Sequence, residues 1–284
     1  MNIKEIELDI PSGTLSGWQI VNPEKPTIIG LHGWLDNANS FVPLQAFLQE
    51  YNFISLDLPG HGKSSHRPDK AYLHYIEYLP DIMHAVERLG LQQVSFLGHS
   101  LGAGVASMIA GIFADKVKTV CLIDALGPLI FKNTQLVSMI QSATEGYSKI
   151  QYKRAPRYNN QQMAAKARMQ ATPMSQESVM HLLERGLRLE GHEFTWRTDP
   201  KLMQQPLVGY TEDQVEHILK LIQAPITIIR TEKGWPFGEQ IFNLRTSYIP
   251  HIKKHVVAGN HHAHMDNPEV VGKIVQDFFQ QHLD

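Results

Sequence analysis

Apolar residues along this chain fall in short, nearly unbroken runs: Thr27–Leu31, Phe53–Asp57, Val94–Gly98, Thr119–Ile123 and Ile226–Arg230. Runs of this length without alternation predict strands covered on both faces, as in a parallel sheet. Between them the spacing changes. Tyr75, Leu79, Ile82, Val86 and Leu89 recur at three- and four-residue steps and stop at Gly90, which predicts a helix with one apolar stripe. Ser100–Phe113 is small and apolar throughout, a helix pressed directly onto the sheet. Val271, Ile274 and Phe278 repeat behind Asn267-Pro268, an N-cap followed by a first-turn proline. Strands alternating with helices make an α/β protein with a mostly parallel sheet. At the start, Ser12-Gly13 separates Ile3–Ile10 from Leu15–Val21, predicting an antiparallel hairpin at the sheet edge.

The rhythm breaks at 128–210. That stretch has few β-branched runs, helix-like segments such as Met174–Gly186, and six of the ten methionines (Met139, Met163, Met169, Met174, Met180 and Met203). It carries 11 Lys+Arg against 6 Asp+Glu, a balance of +5 that leaves −7 for the rest of the chain. Alternation resumes at Thr211, where Thr-Glu-Asp-Gln reads as a capping box. The expected organisation is an α/β core from 1–127 and 211–284, with a helical insertion at 128–210. The methionines suit ordinary packing between helices or an adaptable pocket wall.

Composition narrows the classes. In 284 residues, 26 Lys+Arg stand against 28 Asp+Glu, giving no global field for nucleic acid or an anionic surface. No apolar run approaches the roughly 18 residues of a membrane span, and the first residues, MNIKEIELDIP, lack the apolar stretch of a secretory signal. The lone Cys121 can form neither an internal disulfide nor a cysteine zinc site. The expectation is a soluble, cytoplasmic protein acting on a small molecule, its oligomeric state left open.

Gly98-His99-Ser100-Leu101-Gly102 follows a buried strand and opens a helix. Glycines flanking a serine permit a sharp strand-to-helix turn, which lifts the hydroxyl over the sheet at a helix N-terminus where negative charge is favoured. Leu31-His32-Gly33-Trp34 leaves another strand at the same edge. An amide there, that of Trp34, and the Leu101 amide form a candidate oxyanion hole, with His32 bracing the loop. Asp57-Leu58-Pro59-Gly60-His61-Gly62-Lys63-Ser64 lacks phosphate-loop spacing; it shapes the crevice, with Asp57 bonding its own loop.

Taken in order, HGW, DLPGHGKS, GHSLG and the late GNHHAHMDNPE resemble the α/β-hydrolase family. Within it, LHGWLDNANSF, the DP of WRTDP and GNHHAHMDNPE resemble the serine hydrolase-like proteins. The resemblance implies an eight-stranded sheet, a cap inserted after the sixth strand, and a Ser–acid–His triad. By position it makes Ser100 the nucleophile and His261 the general base, with His262 and His264 as rivals. His262-x-His264-x-Asp266 has metal-like spacing but no closing ligand; loop bracing and helix capping account for it, and neither a metal nor a cofactor is expected. The acid departs from the family pattern. Its commoner place, after Ile226–Arg230, falls at or near Gly234, with Glu232 two residues away. Asp124, ending the preceding strand, resembles the alternative acid position of some haloalkane dehalogenases and keeps the order Ser, acid, His; it is the stronger candidate, with Glu232 the substitute. The implied chemistry is ester hydrolysis through an acyl-enzyme. Carbon–carbon bond hydrolysis, thioester hydrolysis and ligand binding without catalysis remain alternatives. Trp196 and Arg197 either line the pocket or anchor the insertion.

Overall fold

The computed structural model describes residues 3–68, 71–150, 155–234 and 238–283. Residues 1–2, 69–70, 151–154, 235–237 and 284, which the expected core and insertion ranges also include, lie outside the described residues. The chain runs β1 (Ile3–Ile10), β2 (Gly13–Ile20), β3 (Thr27–Leu31), β4 (Asn52–Leu56), α1 (Tyr78–Arg88), β5 (Val94–His99), α2 (Leu101–Ile112) and β6 (Val117–Ile123). It continues through α3 (Leu136–Ile150), β7 (Arg157–Tyr158), α4 (Gln161–Ala171), α5 (Gln176–Gly186), β8 (Leu187–Glu190) and β9 (Glu193–Trp196). It closes with α6 (Glu212–Leu219), β10 (Ile226–Lys233), α7 (Glu239–Ser247), β11 (Lys253–Asn260), α8 (Ala263–Asp266) and α9 (Pro268–Leu283).

Eight strands form one sheet in the order β1-β2-β4-β3-β5-β6-β10-β11. β1, β2 and β4 pair antiparallel, and the pairs from β4 to β11 are parallel. The unbroken apolar runs supply both faces. Ile29, Leu31, Phe96, Val120, Leu122 and Ile228 face α1, α2 and α6. Ile28, Phe53, Leu97, Cys121, Ile123 and Ile229 face α9 and a 3-10 segment at Ala38–Phe47. Residues alternate between two dry layers because side chains in a strand alternate faces. Burial pushes the Cys121 thiol up, so it stays protonated. Close packing of α2 rests on Gly102: a Cβ there would lie 2.0 Å from the Leu31 carbonyl oxygen. Among the described residues no helix is long and apolar enough to cross a membrane.

The segment after β6 holds α3, α4 and α5, and also a three-stranded sheet in the order β7-β9-β8, which the helical expectation did not include. β8 and β9 form a hairpin around Gly191, whose φ of 66° suits glycine. Met169, Met174 and Met180 pack against a local core of Ala164, Ala165, Val179, Leu183 and Leu187, while Met163 and Met203 are exposed. Trp196 packs on that core, and the Arg197 guanidinium donates to Leu187 O at 3.2 Å. Asp199 N donates to Gly60 O at 2.8 Å. WRTDP therefore anchors the segment onto the loop after β4.

Candidate active site

Three chain turns at the carboxyl edge of the sheet build the site, as expected where parallel strands end. Ser100 directly follows β5 with φ 49° and ψ −113°, a sparsely populated positive-φ conformation that costs on the order of 1–3 kcal/mol for a non-glycine residue. Ser100 N donates to Ile123 O at 2.9 Å, tying the elbow to the end of β6. Asp124 directly follows that strand with a positive φ of 58°, which Asp tolerates better than most residues. His261 stands between β11 and α8.

These turns bring three side chains into one hydrogen-bonded line. The Ser100 hydroxyl and His261 Nε2 are 2.8 Å apart, and His261 Nδ1 and Asp124 Oδ2 are 2.6 Å apart. A carboxylate only accepts, so Nδ1 carries the proton and Nε2 is free to accept from the hydroxyl. Asp124 Oδ1 accepts from Thr231 N at 2.9 Å. Glu232 is exposed and stands outside this line. Gly234 abuts it: a Cβ there would fall 2.1 Å from Asp124 Oδ2. The commoner acid position and Asp124 thus converge on one point in space.

The loop after β3 lies against the elbow. Gly102 N donates to His32 O at 3.0 Å, while neither the Trp34 nor the Leu101 amide has an acceptor among the described residues. His32 braces that loop: its Nδ1 donates to Gly33 O at 2.8 Å and its Nε2 accepts from Leu58 N at 2.9 Å. Acceptance at Nε2 requires the neutral ring, and burial lowers its pKa to about 4. His61, beside it, is lowered by burial to about 3. Asp57 does bond its own loop, accepting from Ala38 N at 2.7 Å and Lys63 N at 2.8 Å. It also takes Arg185 Nε of α5 at 2.7 Å, a partner the sequence did not suggest.

The other late histidines do not converge with Asp266. His262 Nε2 donates to Asp36 Oδ2 at 3.1 Å, and His264 packs 4.1 Å from the His99 ring. Asp266 accepts from Ser175 N at 2.9 Å and from the Ser178 hydroxyl at 2.6 Å, at the start of α5. Asp36 is a buried member of the site that sequence reading missed. Burial alone would raise its pKa, but His262 and Arg168 beside it hold it well below the carboxylate range. His99 is lowered by burial to about 4. No local pattern marks this group, since Asp36 and His262 are 226 positions apart.

A family profile described as alpha/beta hydrolase fold matches residues 26–268. A serine hydrolase-like protein of Danio rerio is 31% identical, over 97% of this chain and 88% of that one. One from Dictyostelium discoideum is 29% identical, over 100% of this chain and 83% of that one. Among solved structures, a hypothetical protein from Pseudomonas aeruginosa PAO1 superposes with a TM-score of 0.93 at 29% identity, covering 98% of this chain and 99% of that one.

Proposed function

The chain belongs to the α/β-hydrolase fold family, and on that premise we propose that it is a serine hydrolase cleaving an ester-like bond of a small, partly apolar substrate. In this reading 1–127 and 211–284 form the catalytic core, 128–210 is a cap over it, and Ser100, His261 and Asp124 are the triad. The observation that carries the reading is the unbroken line from Ser100 Oγ through His261 to Asp124, at 2.8 and 2.6 Å.

The chemistry follows from that line. Ser100 Oγ attacks the carbonyl carbon as its proton passes to His261 Nε2. Asp124 holds the ring in the Nδ1–H tautomer and stabilises the imidazolium. Charge developing on the carbonyl oxygen is taken by the Trp34 and Leu101 amides, each donor contributing about 3 kcal/mol in such sites. Collapse expels the leaving group, which takes the proton from Nε2, and leaves the acyl group on Ser100. Water then gives a proton to Nε2 and attacks the acyl carbon, releasing the acid and restoring the hydroxyl. No cofactor enters the scheme.

A fluorophosphonate probe tests the reading. One label per chain by intact mass is expected, lost in Ser100→Ala, together with turnover of p-nitrophenyl esters. Acyl thioesters and vinylogous diketones in the same panel resolve the leaving group. A folded wild-type protein that takes no label and turns over no substrate would leave a ligand-binding role.

A further inference from the structure

Behind the triad lies a group the proposed reaction does not use. Asp36, His99 and His262 are all buried, yet their hydrogen bonding is incomplete. Asp36 Oδ1 accepts Arg168 Nη2 at 2.7 Å, and Oδ2 faces His262 Nε2 at 3.1 Å. His99 Nε2 donates to the His261 carbonyl oxygen at 2.9 Å, so that nitrogen holds the ring's proton and Nδ1 presents a lone pair. That lone pair points at Asp36 Oδ2 from 3.6 Å and has no hydrogen-bond partner among the described residues. Two buried acceptors therefore confront each other, an arrangement that calls for a positive charge between them.

The Gly33 backbone lies against both acceptors. A Cβ on Gly33 would lie 2.7 Å from Asp36 Oδ2 and 2.8 Å from His99 Nδ1, so the glycine faces the gap between the acceptors. One donor atom from each of Asp36, His99 and His262 lies within 4.8 Å of the others; ligand atoms around a tetrahedral zinc stand about 3.4 Å apart. Two imidazoles and a carboxylate suit zinc and its neighbours in the first transition row. The His99 Nε2–H bond to a backbone carbonyl is the outer contact that fixes a ligating histidine.

We propose that Asp36 Oδ2, His99 Nδ1 and His262 Nε2 bind a divalent transition-metal ion of the zinc class, with water completing the coordination. No proton need leave the protein. His99 already offers its lone pair, Asp36 is ionised, and the His262 proton transfers from Nε2 to Nδ1. Arg168 stays on Oδ1 and competes for the carboxylate's charge, which weakens the affinity for the ion. The ion sits one residue from both Ser100 and His261, so it braces the elbow and the base from behind.

The test titrates chelator-stripped protein with Zn2+ by calorimetry and with Co2+ by visible absorption. One equivalent of Zn2+ is expected, with an intense Co2+ band of four-coordinate type. His262→Gln and Gly33→Ala, which remove a ligand and fill the gap, each weaken binding at least tenfold, whereas Arg168→Gln tightens it. Ser100→Ala leaves binding unchanged, which separates this site from the hydrolytic reading. Circular dichroism of each variant establishes that it is folded. Absence of binding to the wild-type protein, or binding unaltered in folded His262→Gln and Gly33→Ala, overturns the proposal.

Discussion

Replacing Asp124 by Asn tests the triad without disturbing its frame. Asn keeps an oxygen for Thr231 N, which now donates to Oδ1 at 2.9 Å, and it tolerates the left-handed φ of 58° at this position. The change falls on His261. Its Nδ1 now stands 2.6 Å from a carboxylate oxygen; in the variant it faces an amide NH2. Nδ1 must then accept, which moves the ring proton to Nε2, where it faces the Ser100 hydroxyl 2.8 Å away. A protonated Nε2 cannot take the serine proton, and the imidazolium loses its counter-charge. Loss of both functions in serine hydrolases costs about 10^3- to 10^4-fold in kcat, or roughly 4–5.5 kcal/mol of transition-state stabilisation. Ester hydrolysis measured beside thermal unfolding checks this: kcat falls by that factor while Tm moves by only a few degrees. A folded Asp124→Asn enzyme within tenfold of wild-type turnover refutes the assignment and returns the acid to Glu232 or to no residue.

Other predictions follow from the same geometry. Gly234→Ala places a methyl 2.1 Å from Asp124 Oδ2 and is expected to displace the carboxylate, lowering kcat at least tenfold in a folded protein; unchanged kinetics would show that the 234 turn yields instead. His32 and His99 are lowered from 6.5 to about 4 and His61 to about 3, so the unfolded chain binds protons that the native one refuses. Stability from these rings is intact above pH ~6.5 and is lost as pH falls toward ~4, by about 2 kcal/mol per ring at pH ~5. Urea midpoints at neutral pH and at pH ~5 measure it, and equal midpoints would be the contrary result. Arg185→Met leaves Asp57 buried with its two amide donors but no counter-charge, and costs about 3–5 kcal/mol in chemical denaturation.

The sheet was legible where burial on both faces left no polar register to misread. β3 runs Thr27–Leu31 as the pattern predicts, and β5, β6 and β10 begin within two residues of expectation. β11 was missed because it is an edge strand: Lys253, Lys254 and Val256 are exposed, and histidine interrupts its apolar run. β7, β8 and β9 span two to four residues each, too short for any periodicity. At the site, Gly-x-Ser-x-Gly carries its own geometry, so Ser100 could be named from the local chain. The acid stayed open between Asp124 and Glu232, because only the folded turns show Gly234 and Asp124 sharing one place. Asp36, Arg168 and His262 meet across 132 and 226 positions, and such closures leave no local trace.

The fastening of residues 128–210 is lopsided. α4 and α5 are bolted to the loops after β3 and β4 by the buried pairs Arg168–Asp36 and Arg185–Asp57. Asn37 and Asn39 add amide bonds to Leu182 O and His181 O. α3 buries only Met139 and Ala143, and reaches the neighbouring 72–73 loop through Tyr147, whose hydroxyl accepts from Leu73 N at 2.6 Å. Prising the first flank away exposes two opposed charge pairs to solvent, whereas the second involves no ion pair among the described residues and rests on Tyr147 bonding Leu73 N, its ring 3.9 Å from that of Tyr72, and two buried apolar side chains. If 128–210 is a cap as proposed, its weaker attachment predicts that it opens at α3 before it opens at α4 and α5.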